Sequence, residues 1–113
     1  DSLGVRMTPV SARPVRGSRT GRPIMAAFDL LGRRWALRIL WELRDGPVGF
    51  RALQQQCDGV SPTVLNTRLG ELREAGLIWQ DEAKAHDLTA LGRDLQRALK
   101  PLQAWSERWA AQT

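Results

Sequence analysis

Between Ser61 and Gly76 the apolar positions fall into a helical rhythm. Leu65, Leu69 and Leu72 recur at steps of four and three, which stacks them on one face. The flanks agree with that period. Ser61 is an N-cap residue type, Pro62 suits a first turn that needs no amide, and Gly76 stands where a left-handed residue ends a helix. The pattern predicts a helix from Ser61 to Ala75. Its other face carries Thr63, Asn66, Thr67 and Gly70, all short or polar, so the helix backbone can come close to another surface. Two readings stand at this point: a face that enters a DNA groove, and the solvated side of an ordinary amphipathic helix.

The same reading extends along the chain. Pro23 opens a short helix in which Ile24, Ala27, Phe28 and Leu31 share a face until Gly32 interrupts. In WALRILWELR, Trp35, Ile39, Leu40 and Leu43 form one face while Leu37 and Trp41 lie on others, so this helix is expected to be buried on several sides. Gly46 and Pro47 end it. After a short link at Val48 to Phe50, residues Arg51 to Cys57 predict a third helix, with Phe50, Leu53 and Cys57 pointing to a core. The turn Asp58, Gly59, Val60 then delivers the chain to Ser61, a helix-turn-helix layout. Downstream, Leu77 to Trp79 and a second segment ending at Leu88 read as a hairpin, with Lys84 near its tip and His86 on its surface. Thr89 can cap a last helix in which Leu91, Leu95, Ala98, Leu102, Trp105 and Trp109 alternate steps of four and three, with a kink expected at Pro101. That seam is assigned to a partner subunit, since so small a domain has little core to spare for it; packing within its own domain is the alternative. The fold class is mostly α with a small β-hairpin, a winged helix-turn-helix with a C-terminal dimerisation helix.

Composition narrows the function. A chain of 113 residues with 42% hydrophobic and 26% charged side chains is expected to fold as one domain, and no apolar run approaches the roughly 20 residues of a membrane span. With no signal-peptide pattern and Cys57 as its single cysteine, a cytoplasmic, nucleoid-associated location is expected, without a cysteine-rich zinc site, other metal or cofactor. Enzymatic chemistry lacks its usual parts: one His, no Tyr, no glycine-rich phosphate loop, no nucleophile elbow. The net charge of +5 favours an anionic partner. Its placement tempers that, because five of the 17 basic residues against one of the 12 acidic ones lie in residues 1–22, leaving 12 against 11 in 23–113. Residues 1–22 mix Pro, Gly, Ser and Arg without a period and read as a flexible arm, either a tail in solvent or a segment lying on DNA phosphates. Residues 23–113 form the folded domain.

With these elements in order, the segments DLLGRRWALRILWELRDGP, FRALQQQCDGVSPTVLNTRLGELREAGLI and LTALGRDL resemble the HxlR-type winged helix-turn-helix transcriptional regulators of bacteria over roughly residues 22–109. The resemblance implies a homodimer held by the first and last helices, through Ile24, Phe28, Leu95, Leu102, Trp105 and Trp109, with a recognition helix in each major groove and each hairpin as a wing. Carried onto this sequence, Ser61, Pro62, Thr63, Asn66, Thr67, Arg68 and Gly70 face double-stranded DNA, Arg51 sits on a phosphate and Lys84 offers a wing contact. Asn66 suits an adenine edge and the threonines a base or phosphate, whereas Arg68 either reaches a phosphate or pairs with Glu71 or Glu42. The chain departs from the family at Arg22, where many members have a cysteine, at Val48 and Gly49, where a basic pair is usual, and in a short hairpin made acidic by Asp81 and Glu82. The expected function is that of a dimeric, sequence-specific regulator, a repressor, on a pseudo-palindromic operator, with its effector ligand open. The rival is a winged-helix module that docks a protein and never binds DNA.

Overall fold

The computed structural model describes residues 22–112. The arm expected over residues 1–22 lies outside the described residues except for Arg22. Five helices and a two-stranded antiparallel sheet follow in the order α1 (Pro23–Leu31), α2 (Ala36–Glu42), α3 (Phe50–Gln56), α4 (Pro62–Glu74), β1 (Ile78–Gln80), β2 (His86–Leu88) and α5 (Ala90–Gln112). The chain divides into two compact units, one ending at Leu37 and the other running from Arg38.

In the first unit, Pro23 at the start of α1 supplies a helical φ where no amide is needed. Ile24 and Phe28 stand exposed on α1, while Ala26 is buried. Two sequence expectations fail around the turn that follows. Trp35 does not belong to a helix face: its φ of 78° puts it in the left-handed region, and α2 begins only at Ala36. Nor is α2 buried on several sides, because Leu37 and Trp41 remain exposed while Ala36, Ile39, Leu40 and Leu43 are covered. A helix of seven residues has about two turns, which is enough for one buried stripe. Trp41 is shielded in another way, with the Arg44 guanidinium 4.0 Å over its ring.

The second unit holds the helix-turn-helix, the hairpin and α5. Leu53, Cys57, Leu65, Leu69 and Leu72 are fully buried and are joined by Val60, Leu77, Ile78 and Leu88. This is the leucine stripe that the sequence period predicts. Burial also raises the Cys57 thiol above its ordinary pKa, mainly by desolvation, so it is a core residue and a poor nucleophile.

The hairpin pairs Ile78 with Leu88, Trp79 with Asp87 and Gln80 with His86. Val48 adds an isolated bridge to His86, with reciprocal backbone hydrogen bonds of 2.8 Å. α4 packs on β1, and α5 packs on β2. Thr89 fastens this junction: its hydroxyl donates to the Gly76 carbonyl at 2.6 Å and accepts the Gly92 N–H at 3.0 Å. α5 then runs unbroken through Pro101.

Candidate nucleic-acid interface

The geometry of α4 starts at Ser61, whose hydroxyl accepts the Val64 N–H at 3.2 Å and so satisfies one of the helix's orphan donors. The helix closes at Ala75, and Gly76 turns the chain away with φ of 80°. With Leu65, Leu69 and Leu72 buried, the 100° step per residue puts Thr63, Asn66 and Thr67 outside, and all three are exposed. Gly70 is half-buried on the same side. Val64, which the sequence reading passed over, is also exposed, on the flank of α4 away from Asn66.

The turn that sets the angle between α3 and α4 is held from several directions. Asp58 and Gly59 take φ of 59° and 74°, and the Gln54 side-chain amide donates to the Val60 carbonyl at 2.9 Å. Arg38 on α2 reaches across to the same turn, donating to Glu42 at 2.8 Å, to Asp58 at 3.2 Å and to the Gln56 carbonyl. The hydrogen bond to Glu42, together with the nearby Asp58 charge, raises the Arg38 pKa above its ordinary value against a smaller opposing effect of burial. This guanidinium is therefore committed to fixing the helix-turn-helix angle.

The predicted DNA-facing cations divide. Arg68 bonds Glu71 at 3.1 Å across one turn of α4, the ion pair that one of its two sequence readings offered. Arg51 stands exposed near the start of α3. Lys84 occupies the hairpin tip in a left-handed conformation, φ 69°. The acidic character of this hairpin is partly absorbed internally, because the Asp81 carboxylate accepts the Ala85 N–H at 2.9 Å and closes the turn.

His86 is the main correction. It was expected on the hairpin surface, yet it is only 3% exposed. The reason is the two-residue period of β2: His86 and Leu88 share the inward face, and Asp87 between them turns outward. Arg73, another residue the sequence reading missed, places Nη1 3.2 Å from His86 Nε2. Burial, and secondarily the Arg73 charge, lowers the His86 pKa below its ordinary value, against a smaller opposing effect of Asp81. The signals for both were present, in the spacing of His86 from Leu88 and of Arg73 seven residues, two turns, beyond Asn66.

The residues assigned to dimerisation, Leu95 apart, are exposed apolar groups. On α5, Leu102, Trp105 and Trp109 are 48%, 49% and 59% exposed, and the two indoles stack with centroids 5.7 Å apart. Leu95, nearer the start of α5, is half-buried. Among the described residues no group of His, Cys, Asp and Glu could hold a metal ion, and no helix is long and apolar enough to cross a membrane.

This arrangement of a capped helix with a small polar face, a fixed turn and a following hairpin is shared with known proteins. The HxlR-like helix-turn-helix family matches residues 30–113. The HTH-type transcriptional regulator MJ0925 of Methanocaldococcus jannaschii is 29% identical over 89 residues, covering 75% of this chain and 83% of the relative. The crystal structure of quinone-bound YodB from Bacillus subtilis superposes with a TM-score of 0.70 at 33% identity, over 77% of this chain and 98% of that one. A regulator assigned to the MarR family from Enterococcus faecalis V583 superposes equally well, TM-score 0.70 at 27% identity, over 87% of this chain and 94% of that one. The chain belongs to the HxlR-like helix-turn-helix family and is a winged-helix transcriptional regulator, not an enzyme.

Proposed function

We propose that the protein is a dimeric, sequence-specific DNA-binding repressor, acting in the cytoplasm, that inserts α4 into the major groove of a pseudo-palindromic operator. The observation that carries this reading is the outward row Thr63, Asn66 and Thr67, held opposite a fully buried leucine stripe on a helix capped at both ends. Long side chains are missing from that row, so bases come within reach of a short amide and two hydroxyls. Asn66 reads an adenine edge, Thr63 and Thr67 contact bases or phosphates, and Arg51 and Lys84 contact the backbone. Ser61 and Pro62 place the first turn of the helix against the groove.

Dimerisation rests on the exposed tryptophan-bearing face of α5. Full burial of a large apolar side chain is worth about 1.5–3 kcal/mol, so Leu102, Trp105 and Trp109 left half in water are a standing drive to pair. Leu95 continues the seam, and Ile24 and Phe28 of α1 are assigned to the same interface. Two recognition helices then meet half-sites about 34 Å apart.

A gel-shift titration against the DNA upstream of the protein's own gene, at two salt concentrations, tests the reading. Asn66→Ala is expected to relax preference at one base pair per half-site at a cost of about 1–3 kcal/mol. Arg51→Ala is expected to weaken cognate and random duplex alike and to flatten the salt dependence. Equal losses on both duplexes for Asn66→Ala would remove its reading role. In sedimentation, the wild type is expected as a dimer and the Trp105→Glu, Trp109→Glu double variant as a monomer. A dimer that retards no duplex would instead favour a module that docks protein.

A further inference from the structure

Between the start of α3, the outward side of α4 and the hairpin lies a cleft of about 580 Å³. Arg51, Asn66, Arg73, Gln80, Lys84 and His86 line it, contributing three cationic side chains, and no carboxylate belongs to its lining. Such a lining, open to solvent on one side, collects anions by focusing a positive potential. Asn66 belongs both to this cleft and to the outward row of α4, so the cleft opens on the surface assigned to DNA.

The hydrogen bonding of His86 defines the state of the cleft. A guanidinium only donates, so His86 Nε2 must accept from Arg73, and the ring proton of the neutral imidazole then sits on Nδ1. That Nδ1 is buried without a hydrogen-bond partner. Such an arrangement is costly, and what it secures is an arginine steered by a neutral ring instead of by a carboxylate. The Arg73 charge is thus positioned without being neutralised by its partner. Arg68, one turn and a half earlier on the same helix, shows the opposite case in its pair with Glu71.

We propose that this cleft is a phosphate-binding site in which Arg73, Arg51 and Lys84 each neutralise one of the successive phosphates that pass along it, with His86 as the positioning residue for Arg73. The phosphates are supplied by the DNA backbone flanking the groove that α4 enters, which rests on the function proposed above. Gln80 offers a further N–H donor at the rim. Charged donors presented by three elements suit a run of phosphates, each donor taking the oxygens of its own phosphate.

The test compares salt dependence in the full chain. Removing one phosphate-binding side chain is expected to lower the slope of log affinity against log salt by about 0.9, about eightfold in affinity per tenfold change in salt. Arg73→Gln and Lys84→Gln are each expected to show that decrease on cognate and random duplex alike, while Arg73→Lys keeps the slope. Lys84 is exposed at the hairpin tip, so its variant stands even where Arg73→Gln is poorly folded. In parallel, inorganic phosphate at matched ionic strength is titrated while the His86 ring resonances are followed by NMR. Retarded duplex with unchanged slopes in both glutamine variants overturns the site and leaves the proposed function standing. A wild type that retards no duplex, but whose His86 resonances shift with phosphate, keeps the site with a free anion as ligand and overturns the DNA reading. No response to either overturns both.

Discussion

Replacing Gly70 with alanine separates folding from DNA approach, because the two are expected to move in opposite directions. Gly70 lies inside α4, and a Cβ placed there meets nothing nearer than Arg73 Nη2, at 3.9 Å. That is ordinary contact with the far end of a flexible side chain, so the folded state accepts the methyl without strain. Alanine is favoured over glycine in a helix interior by about 0.8–1.0 kcal/mol, partly through the unfolded chain. Gly70→Ala is therefore expected to stabilise the protein by about 1 kcal/mol, a rise of about 4–8 °C in Tm for a domain of this size. On the DNA side the same methyl stands on the face shared with Asn66 and Thr63 and holds the helix axis away from the groove. Affinity for cognate duplex is expected to fall by about 1–3 kcal/mol, the scale of one spoiled base-pair contact. Calorimetry and gel shift on one preparation measure both quantities. A stabilised variant with unchanged affinity would refute close approach at Gly70, and a destabilised one would refute the steric account of the helix.

Gly92→Ala is expected to behave in the contrary way: a Cβ there would stand 2.1 Å from the Leu77 carbonyl oxygen, which is backbone and cannot yield. The loss should reach or exceed the upper end of the about 1–3 kcal/mol typical of overpacking, read as a lower urea midpoint. Ser61→Ala is expected to cost about 1 kcal/mol by removing the N-cap acceptor, with a further loss of DNA affinity as the first turn of α4 frays. For His86, whose folded pKa is lowered, the unfolded chain binds the proton first, so stability is full above the ordinary imidazole pKa and is lost as pH falls below it. The limiting slope is about 1.4 kcal/mol per pH unit, and since His86 is the only histidine, His86→Gln should flatten the slope just below the ordinary imidazole pKa, read from urea midpoints.

How much of this was legible in the sequence depends on the range of the interaction involved. The leucine stripe of α4, its Ser61 cap, the buried Cys57 and the Thr89 start of α5 follow from spacing within one or two turns, and the structure has all of them. Trp35 defeated the reading because apolar spacing continues through it while its backbone leaves the helical region, a conflict that periodicity alone does not register. His86 was misplaced for a related reason. A polar residue beside Asp87 in a short hairpin reads as surface, yet strand alternation and the Val48 bridge turn it inward. The cleft lay beyond reach altogether, since Arg51, Arg73 and Lys84 are brought together by tertiary packing and no local pattern unites them.

The anchoring of α4 explains how such a small unit can hold the proposed recognition helix steady. At its start, the Arg38 side chain ties α2 to the turn through Asp58 and the Gln56 carbonyl, and Ser61 closes the first helical turn. At its end, Gly76 and Leu77 are gripped by the junction into α5, by the Thr89 hydroxyl on one and by the close approach of Gly92 on the other. Both ends are therefore fixed by contacts within a single chain, and the direction of the outward row is settled before any partner arrives. The far half of α5 shows the reverse, with Leu102, Trp105 and Trp109 exposed. The direction of α4 is thus set by hydrogen bonds and packing within the chain, whereas the apolar face on the far half of α5 is left uncovered.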